Sequence, residues 1–409
     1  MSTIAPEVSQ HVVPDHVPAH LVKTFDFHTG LGNRPQEAIG KLLDGPPIFY
    51  SPVRHTFGPG GAWVVVGSDL VKAVTSDPET YSSTELGTFL AHFGEDFILA
   101  PLAIDPPRHT RFRALVNPLF TPARMVALAP KIESWCNELI DRFEEKGRCN
   151  FIQEFADQFP TGIFIDLMGL QRDRVVEFVN WVRDFIHGET NEIRMSGVQR
   201  TVDFFDSVFQ NPQDYPEGSM IRYLRDAEPE GRPMSRGEFI GTAFLLFTAG
   251  LDTVVSSLGF IFRMLAEDQA LQAHLRDKPT EIPRHVEEMM RLFAPVTPQR
   301  RAMRDGNIGG VQIKQGDVLA LCLTGASRDP SVFSEPDKLD PSRNPNPHFA
   351  FSTGIHRCAG AQLARRDLAI AVEIWLKRIS PFRIAKDSAI TASGGSVLVL
   401  DGIVLEWDR

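Results

Sequence analysis

The stretch Phe351-Ser-Thr-Gly354-Ile-His356-Arg357-Cys358-Ala-Gly360, running into AQLARRDLAIAVEIWLKR (361–378), decides how the rest of the chain is read. The alanine-rich run after Gly360 has apolar residues at three-to-four spacing and predicts a helix. Cys358 then lies at the start of that helix, where unpaired backbone N–H groups and the positive end of the helix dipole stabilise a thiolate and lower its pKa. Gly354 and Gly360 let the backbone pass close to something flat and bulky. A thiolate held by N–H donors, with space opened around it, suits an axial ligand of a haem iron. A second reading makes Cys358 a nucleophile activated by His356, but no orienting acid or amide lies nearby. The other cysteines, Cys136, Cys149 and Cys322, read as small buried hydrophobes.

Working outward, helical periodicity recurs at 125–145, 174–187, 199–209, 236–267, 281–293 and 360–378. Strand-like stretches are few: GAWVVVG (61–67), the run Ile308 to Leu323 broken at KQGD (314–317), and the tail, where SVLVL (396–400) reads as a hairpin with IVLEW (403–407). No internal repeat, low-complexity tract or long Ser/Gly/Pro linker divides the chain. The reading is therefore mainly α: one large helical domain over residues 1–409 with small β-sheets at its edge. Phe239–Phe262 is long enough to span a bilayer, but it carries Asp252 and several hydroxyl residues. Ser235 and Glu238 make a capping box before it, which predicts a long helix through a soluble core.

Composition agrees. Hydrophobic residues make up 43% of the 409 and charged residues 23%, which excludes a disordered chain. A net charge of −10 argues against nucleic acid or an acidic membrane as the main partner. Four scattered cysteines without a C-x-x-C pair fit neither a disulfide framework nor structural zinc, and point to a reducing, cytoplasmic compartment. The first thirty residues hold prolines and histidines but no apolar run, so neither a signal peptide nor an N-terminal anchor is expected.

Two further segments bear on function. In VEEMMRLFAPV (286–296), Glu288 and Arg291 are three apart on a predicted helix and can pair. In DPPRHTRFRALV (105–116), Asp105 and Pro106 start a helix that puts His109 and Arg113 one turn apart on one face, a carboxylate-binding arrangement. Solvated helix faces produce either pattern by chance when it stands alone.

Together these residues resemble the cytochromes P450 over nearly the whole chain. The Cys358 segment resembles the family's haem signature, Ala249-Gly250-Leu251-Asp252-Thr253 its oxygen-activation segment, and Glu288 with Arg291 its E-x-x-R motif; Arg343, after FSEPDKLDPS, stands where the family has a second arginine. HVPAHLVKTFDFH (16–28), GRCNFIQEFADQFP (147–160) and AGLDTVV (249–255) resemble the bacterial class I branch that hydroxylates camphor. The resemblance implies haem b ligated by Cys358, with Arg113, Arg300 and His356 holding its propionates, His109 as an additional contact, and Ala249, Gly250 and Phe351 against the cofactor. It implies that Asp252 and Thr253 handle protons during oxygen activation, and that Glu288, Arg291 and Arg343 form a structural ion-pair network. Ser352 stands where the signature often has glycine; serine is small, and no consequence is expected. The region LGTFLAHFGEDFILAPLAID (86–105) lacks the tyrosine by which the camphor enzyme holds its ketone, which argues against camphor as the substrate.

The implied activity is a haem-thiolate monooxygenase using O2. Phe97, Leu245, Thr248, Val296 and Val397 are the candidate pocket residues, and all but Thr248 are apolar, so a small compact substrate is expected: a terpenoid, norisoprenoid or simple aromatic. No flavin or nicotinamide motif is present. The resemblance implies electrons from an iron–sulfur ferredoxin with a separate NAD(P)H-dependent reductase, docking a monomer near Arg113, with Arg108, Arg111, Arg365 and Arg366 around it. A peroxide-dependent oxygenase, or a haem sensor without turnover, would have less need of the Asp252–Thr253 pair.

Overall fold

A computed structural model describes residues 11–53, 60–84, 97–188 and 190–409. Most of the periodic segments form helices close to where they are expected: Pro122–Asp141, Val175–His187, Asn191–Gln210, Ile282–Phe293 and Ala361–Arg378. Each hides an apolar stripe. Ala361–Arg378 buries Leu363, Leu368, Val372 and Trp375. The Trp375 ring sits 5.1 to 5.5 Å from those of Phe143, Phe151, Phe155 and Phe262, which joins four chain segments in one aromatic cluster. Aromatic pairs at such spacing add about 0.5–1.5 kcal/mol each beyond the burial of their area.

The central stretch departs from expectation. Periodicity predicts one helix over 236–267, but the chain forms two, Arg236–Ala249 and Asp252–Glu267, interrupted at Gly250 and Leu251. The expected capping box is present: Ser235 N donates to Glu238 Oε2 at 2.7 Å and Glu238 N to Ser235 Oγ at 3.2 Å. By length and composition Arg236–Glu267 could cross a membrane, yet 72% of its most apolar window is buried inside the protein. It is a core element.

Beside the helices lies a five-stranded sheet in the order Ile48–Ser51, Ala62–Val65, Val318–Leu321, Gln299–Ala302, Tyr81–Ser82. Its second and third strands pair in parallel, the other neighbours antiparallel. Phe49, Ala62, Val64 and Ala320 pack into the main helical core, while Ile48, Tyr50, Trp63, Val65, Leu319 and Leu321 pack into a second, smaller one. Burial on both faces explains the unbroken apolar run AWVV, since side chains alternate across a strand.

The tail corrects another expectation. Val399–Asp401 and Val404–Trp407 do not pair with each other: the first joins Thr391–Ser393, and the second lies between Arg148–Asn150 and Phe382–Ile384. Gly402 separates them at φ +74, where a Cβ would stand 2.1 Å from Ala389 O, so the chain turns from one sheet into the next at a position only glycine can occupy.

Candidate active site

Cys358 is held by the loop that precedes Ala361–Arg378. Its N–H donates to Phe351 O at 2.9 Å. Gly354 has φ +70, and a Cβ there would lie 2.1 Å from Thr75 O; the glycine answers the approach of the helix Ser68–Ser76 rather than the shape of a ligand. Gly360 is the one that leaves room near the sulfur, its hypothetical Cβ 3.9 Å from Cys358 Sγ. Ser352 adopts φ +56, the left-handed conformation that explains the usual glycine at this place, so serine here is not without consequence.

The sulfur borders a cavity of about 290 Å³. Cys358 has exposed surface only because that cavity opens beside it; the group itself lies deep. Burial pushes its thiol above the ordinary value, while Gly360 N–H, Arg113, Arg357 and Arg365 pull it back. The helix start alone therefore does not depress this thiol as its sequence context suggests. The other three cysteines are buried with thiols raised by desolvation, and none of them borders the cavity.

Leu245, Ala249, Gly250 and Thr253 face the same cavity from the interrupted central helices, with Val296 and Phe351. Thr253 Oγ1 donates to Ala249 O at 3.2 Å, across the interruption. Asp252 points elsewhere. Its Oδ1 accepts from His187 Nε2 at 2.8 Å, and its buried Oδ2 has no partner among the described residues. Burial pulls the His187 pKa down, but the hydrogen bond and charge of Asp252, with Asp401, hold it above the ordinary value. Asp157 nearby is pushed up to about 6 by burial, against the pull of Arg183. Three expected pocket residues do not line the cavity. Thr248 Oγ1 turns back to Phe244 O at 2.9 Å, Phe97 packs edge-on against Phe244, and Val397 meets Val296 through a backbone bridge.

Around the cavity stands a set of donors with little to receive them. Arg113, Arg300 and His356 line it, and His109 packs on His356 with ring centroids 4.5 Å apart, its buried Nε2 unpartnered among the described residues. Arg300 is 4% exposed, and among the described residues no carboxylate lies within 4.0 Å of it; its Nη1 donates to Gln299 O. Desolvation lowers its pKa to about 10. His356 is lowered to about 3 by burial, then by Arg300, His109 and Arg113, and its Nε2 meets Ser83 Oγ at 2.9 Å. A buried cation without a counter-charge is costly. The donor set fits a ligand that brings carboxylates into this cavity and accepts a thiolate at its centre.

Comparison with known proteins bears on this fit. A family model described as Cytochrome P450 matches residues 149–388. The chain is 36% identical over 408 residues to a probable cytochrome P450 127A1 of Sinorhizobium fredii, with 98% of each chain covered. The chain belongs to the cytochrome P450 family. Solved structures of CYP101J2 and CYP101C1 superpose with TM-scores of 0.86 and 0.87 at 29% and 28% identity, covering 97% of this chain and all of each of those. This P450 is thus a bacterial haem-thiolate monooxygenase close to the CYP101 group, an oxidoreductase whose family carries cysteine-ligated haem b.

Elsewhere in this P450 the E-x-x-R residues and the second arginine come together. Arg291 donates through Nε and Nη2 to Glu288 at 2.9 and 2.8 Å, and Arg343 Nε donates to Glu288 Oε1 at 2.9 Å. Asn346 Nδ2 donates to Glu288 Oε2 at 3.0 Å and the Asp340 N–H to Oε1 at 3.1 Å, so Glu288 accepts five bonds among the described residues. The remaining Arg291 donors reach the carbonyls of Ser327, Pro336 and Lys338, which fasten the helix to the loop ahead of Cys358. The arginines expected to dock a partner are largely engaged: Arg108 with Glu230 and Glu238, Arg111 near Glu230, and Arg365 bidentate on Glu287. Arg113 turns toward the cavity and donates to Arg357 O.

Proposed function

We propose that Cys358 would supply the thiolate ligand of haem b in this P450, and that the enzyme hydroxylates a small, compact hydrophobic molecule such as a terpenoid, norisoprenoid or simple aromatic. One observation carries the reading: Cys358, Thr253 and the cations Arg113 and Arg300 border a single cavity. Bound haem supplies the activation of O2 and the transfer of one oxygen atom to a C–H bond, the other leaving as water with two protons and two electrons.

The chain's own residues do the rest. Arg113 and Arg300 would neutralise the cofactor's carboxylates and His356 would hold them by a hydrogen bond, with His109 behind His356. Thr253 presents its hydroxyl at the cavity wall, and Asp252, one residue earlier, passes protons toward it after turning from His187. Leu245, Val296 and their apolar neighbours bind substrate by desolvation and shape. The Asp252–Thr253 pair favours O2 with external electrons over peroxide as oxidant. We assign the electrons to an iron–sulfur ferredoxin with a separate NAD(P)H-dependent reductase, meeting a cytoplasmic monomer near Arg113.

The test is a titration of the ferric protein with a panel of terpenoids and aromatics, followed by reconstitution with a ferredoxin and its reductase. Compact apolar compounds are expected to displace the haem water and to yield alcohols that depend on NAD(P)H, with reduction slowed by added salt. Product formed equally well from peroxide alone, with no dependence on the electron donor, would overturn the assignment of oxidant.

A further inference from the structure

Away from the haem cavity, the helices Gln269–Asp277 and Ile282–Phe293 are joined by the short turn Pro279–Glu281. Three side chains converge at this corner: His274 from the last turn of the first helix, Glu281 from the connection, and His285 from the first turn of the second. One ligating atom of each lies within 4.8 Å of the others. His274 Nε2 donates to Glu281 Oε2 at 2.8 Å, and the two imidazole centroids are 5.5 Å apart.

His285 is the anchor. It is 5% exposed, and its Nδ1 donates to the Glu281 backbone carbonyl at 2.8 Å. That bond fixes the tautomer and leaves Nε2 with the lone pair, the way proteins orient histidines that ligate metals. A competitor is present as well: Arg284 Nη2 lies 2.6 Å from Glu281 Oε2.

We propose that His274, Glu281 and His285 bind a divalent transition-metal ion, best satisfied by zinc, and that the ion clasps the two helices together. Two imidazole nitrogens and one carboxylate oxygen, with water in fourth place, form a donor set typical of tetrahedral zinc. Magnesium and calcium prefer oxygen ligands throughout. Atoms bound tetrahedrally to zinc at about 2.0–2.2 Å stand about 3.3–3.6 Å from one another, so the His274–Glu281 pair must open slightly from 2.8 Å while any atoms still as far apart as 4.8 Å draw in. His274 and Glu281, both half-buried, have the freedom to do so, and zinc takes the place of the proton they share. His285 lies one turn ahead of Glu288, so the clasp braces the end of the helix that carries Glu287, Glu288 and Arg291.

The experiment uses untagged, haem-loaded protein stripped with a chelator, then titrated with zinc chloride in competition with a chromogenic zinc indicator. One tightly bound zinc per chain is expected, with a raised melting temperature and no competition from magnesium. His274→Ala and Glu281→Gln, both at half-buried positions where folding should survive, are expected to weaken binding at least tenfold. Arg284→Ala should tighten it by freeing the carboxylate, a gain that a purely structural role would not produce. Absence of zinc binding, or wild-type affinity in His274→Ala or Glu281→Gln, would overturn the proposal. So would an X-ray absorption spectrum with sulfur in the zinc shell, which would move the ion to a cysteine.

Discussion

His187 Nε2 donates to Asp252 Oδ1 at 2.8 Å and so holds the acid of the oxygen-activation segment away from the cavity. Asp401 and Asp157 add negative charge to this cluster and Arg183 positive charge. The His187 pKa is raised above its ordinary 6.5, so the stabilising ion pair is complete below that value and fades as pH rises through the folded-state pKa. His187→Gln should therefore exceed wild-type turnover at pH near 6 and converge on it as pH rises through the raised pKa of His187. A constant ratio across that range in steady-state assays would show that His187 does not restrain Asp252.

Thr253 is the hydroxyl that meets the cavity. Thr253→Ala should keep consuming oxygen while product falls about tenfold or more and peroxide rises in its place. Product yield per electron is the readout, and a wild-type value would remove Thr253 from proton delivery.

Glu288 accepts bonds from Arg291, Arg343 and Asn346, and both Glu288 and Arg291 are 0% exposed. Glu288→Gln leaves two arginines without their counter-charge, a loss of about 3–5 kcal/mol for a buried pair broken on one side. A urea midpoint lowered accordingly, with poor haem retention at growth temperature, is expected. Unaltered stability would mean the network is dispensable.

Ser352 is strained by φ +56, and its buried Oγ has no partner among the described residues. Left-handed backbone costs a side-chain-bearing residue about 1–2 kcal/mol, partly offset here by the greater freedom of glycine in the unfolded chain. Ser352→Gly should stabilise the protein by about 0.5–1 kcal/mol in thermal or urea melts, with an unchanged haem spectrum.

Much of this was legible in the sequence, and what was not has physical reasons. Helices such as Ile282–Phe293 hide one apolar stripe, and the stripe shows in the spacing of residues. The interruption at Gly250 and Leu251 does not show, because helical periodicity runs straight through a two-residue break. Nor does the pairing of the tail strands show, because strand pattern reveals a strand but not its partner. Cys358 stood out from its ten-residue context. His187 and Asn346 did not, being ordinary polar residues that matter only because folding brings them to Asp252 and Glu288 from 65 and 58 positions away. Helical phase turns Thr248 toward the pocket, yet its hydroxyl satisfies Phe244 O.

Ligation by Cys358 is tested by reducing the haem-loaded protein under carbon monoxide and recording its absorption. A thiolate ligand predicts the strongly red-shifted band of a haem-thiolate carbonyl adduct, lost in Cys358→Ser while the fold persists by circular dichroism. A wild-type adduct absorbing like a histidine-bound globin, or a red-shifted band that survives Cys358→Ser, would contradict it.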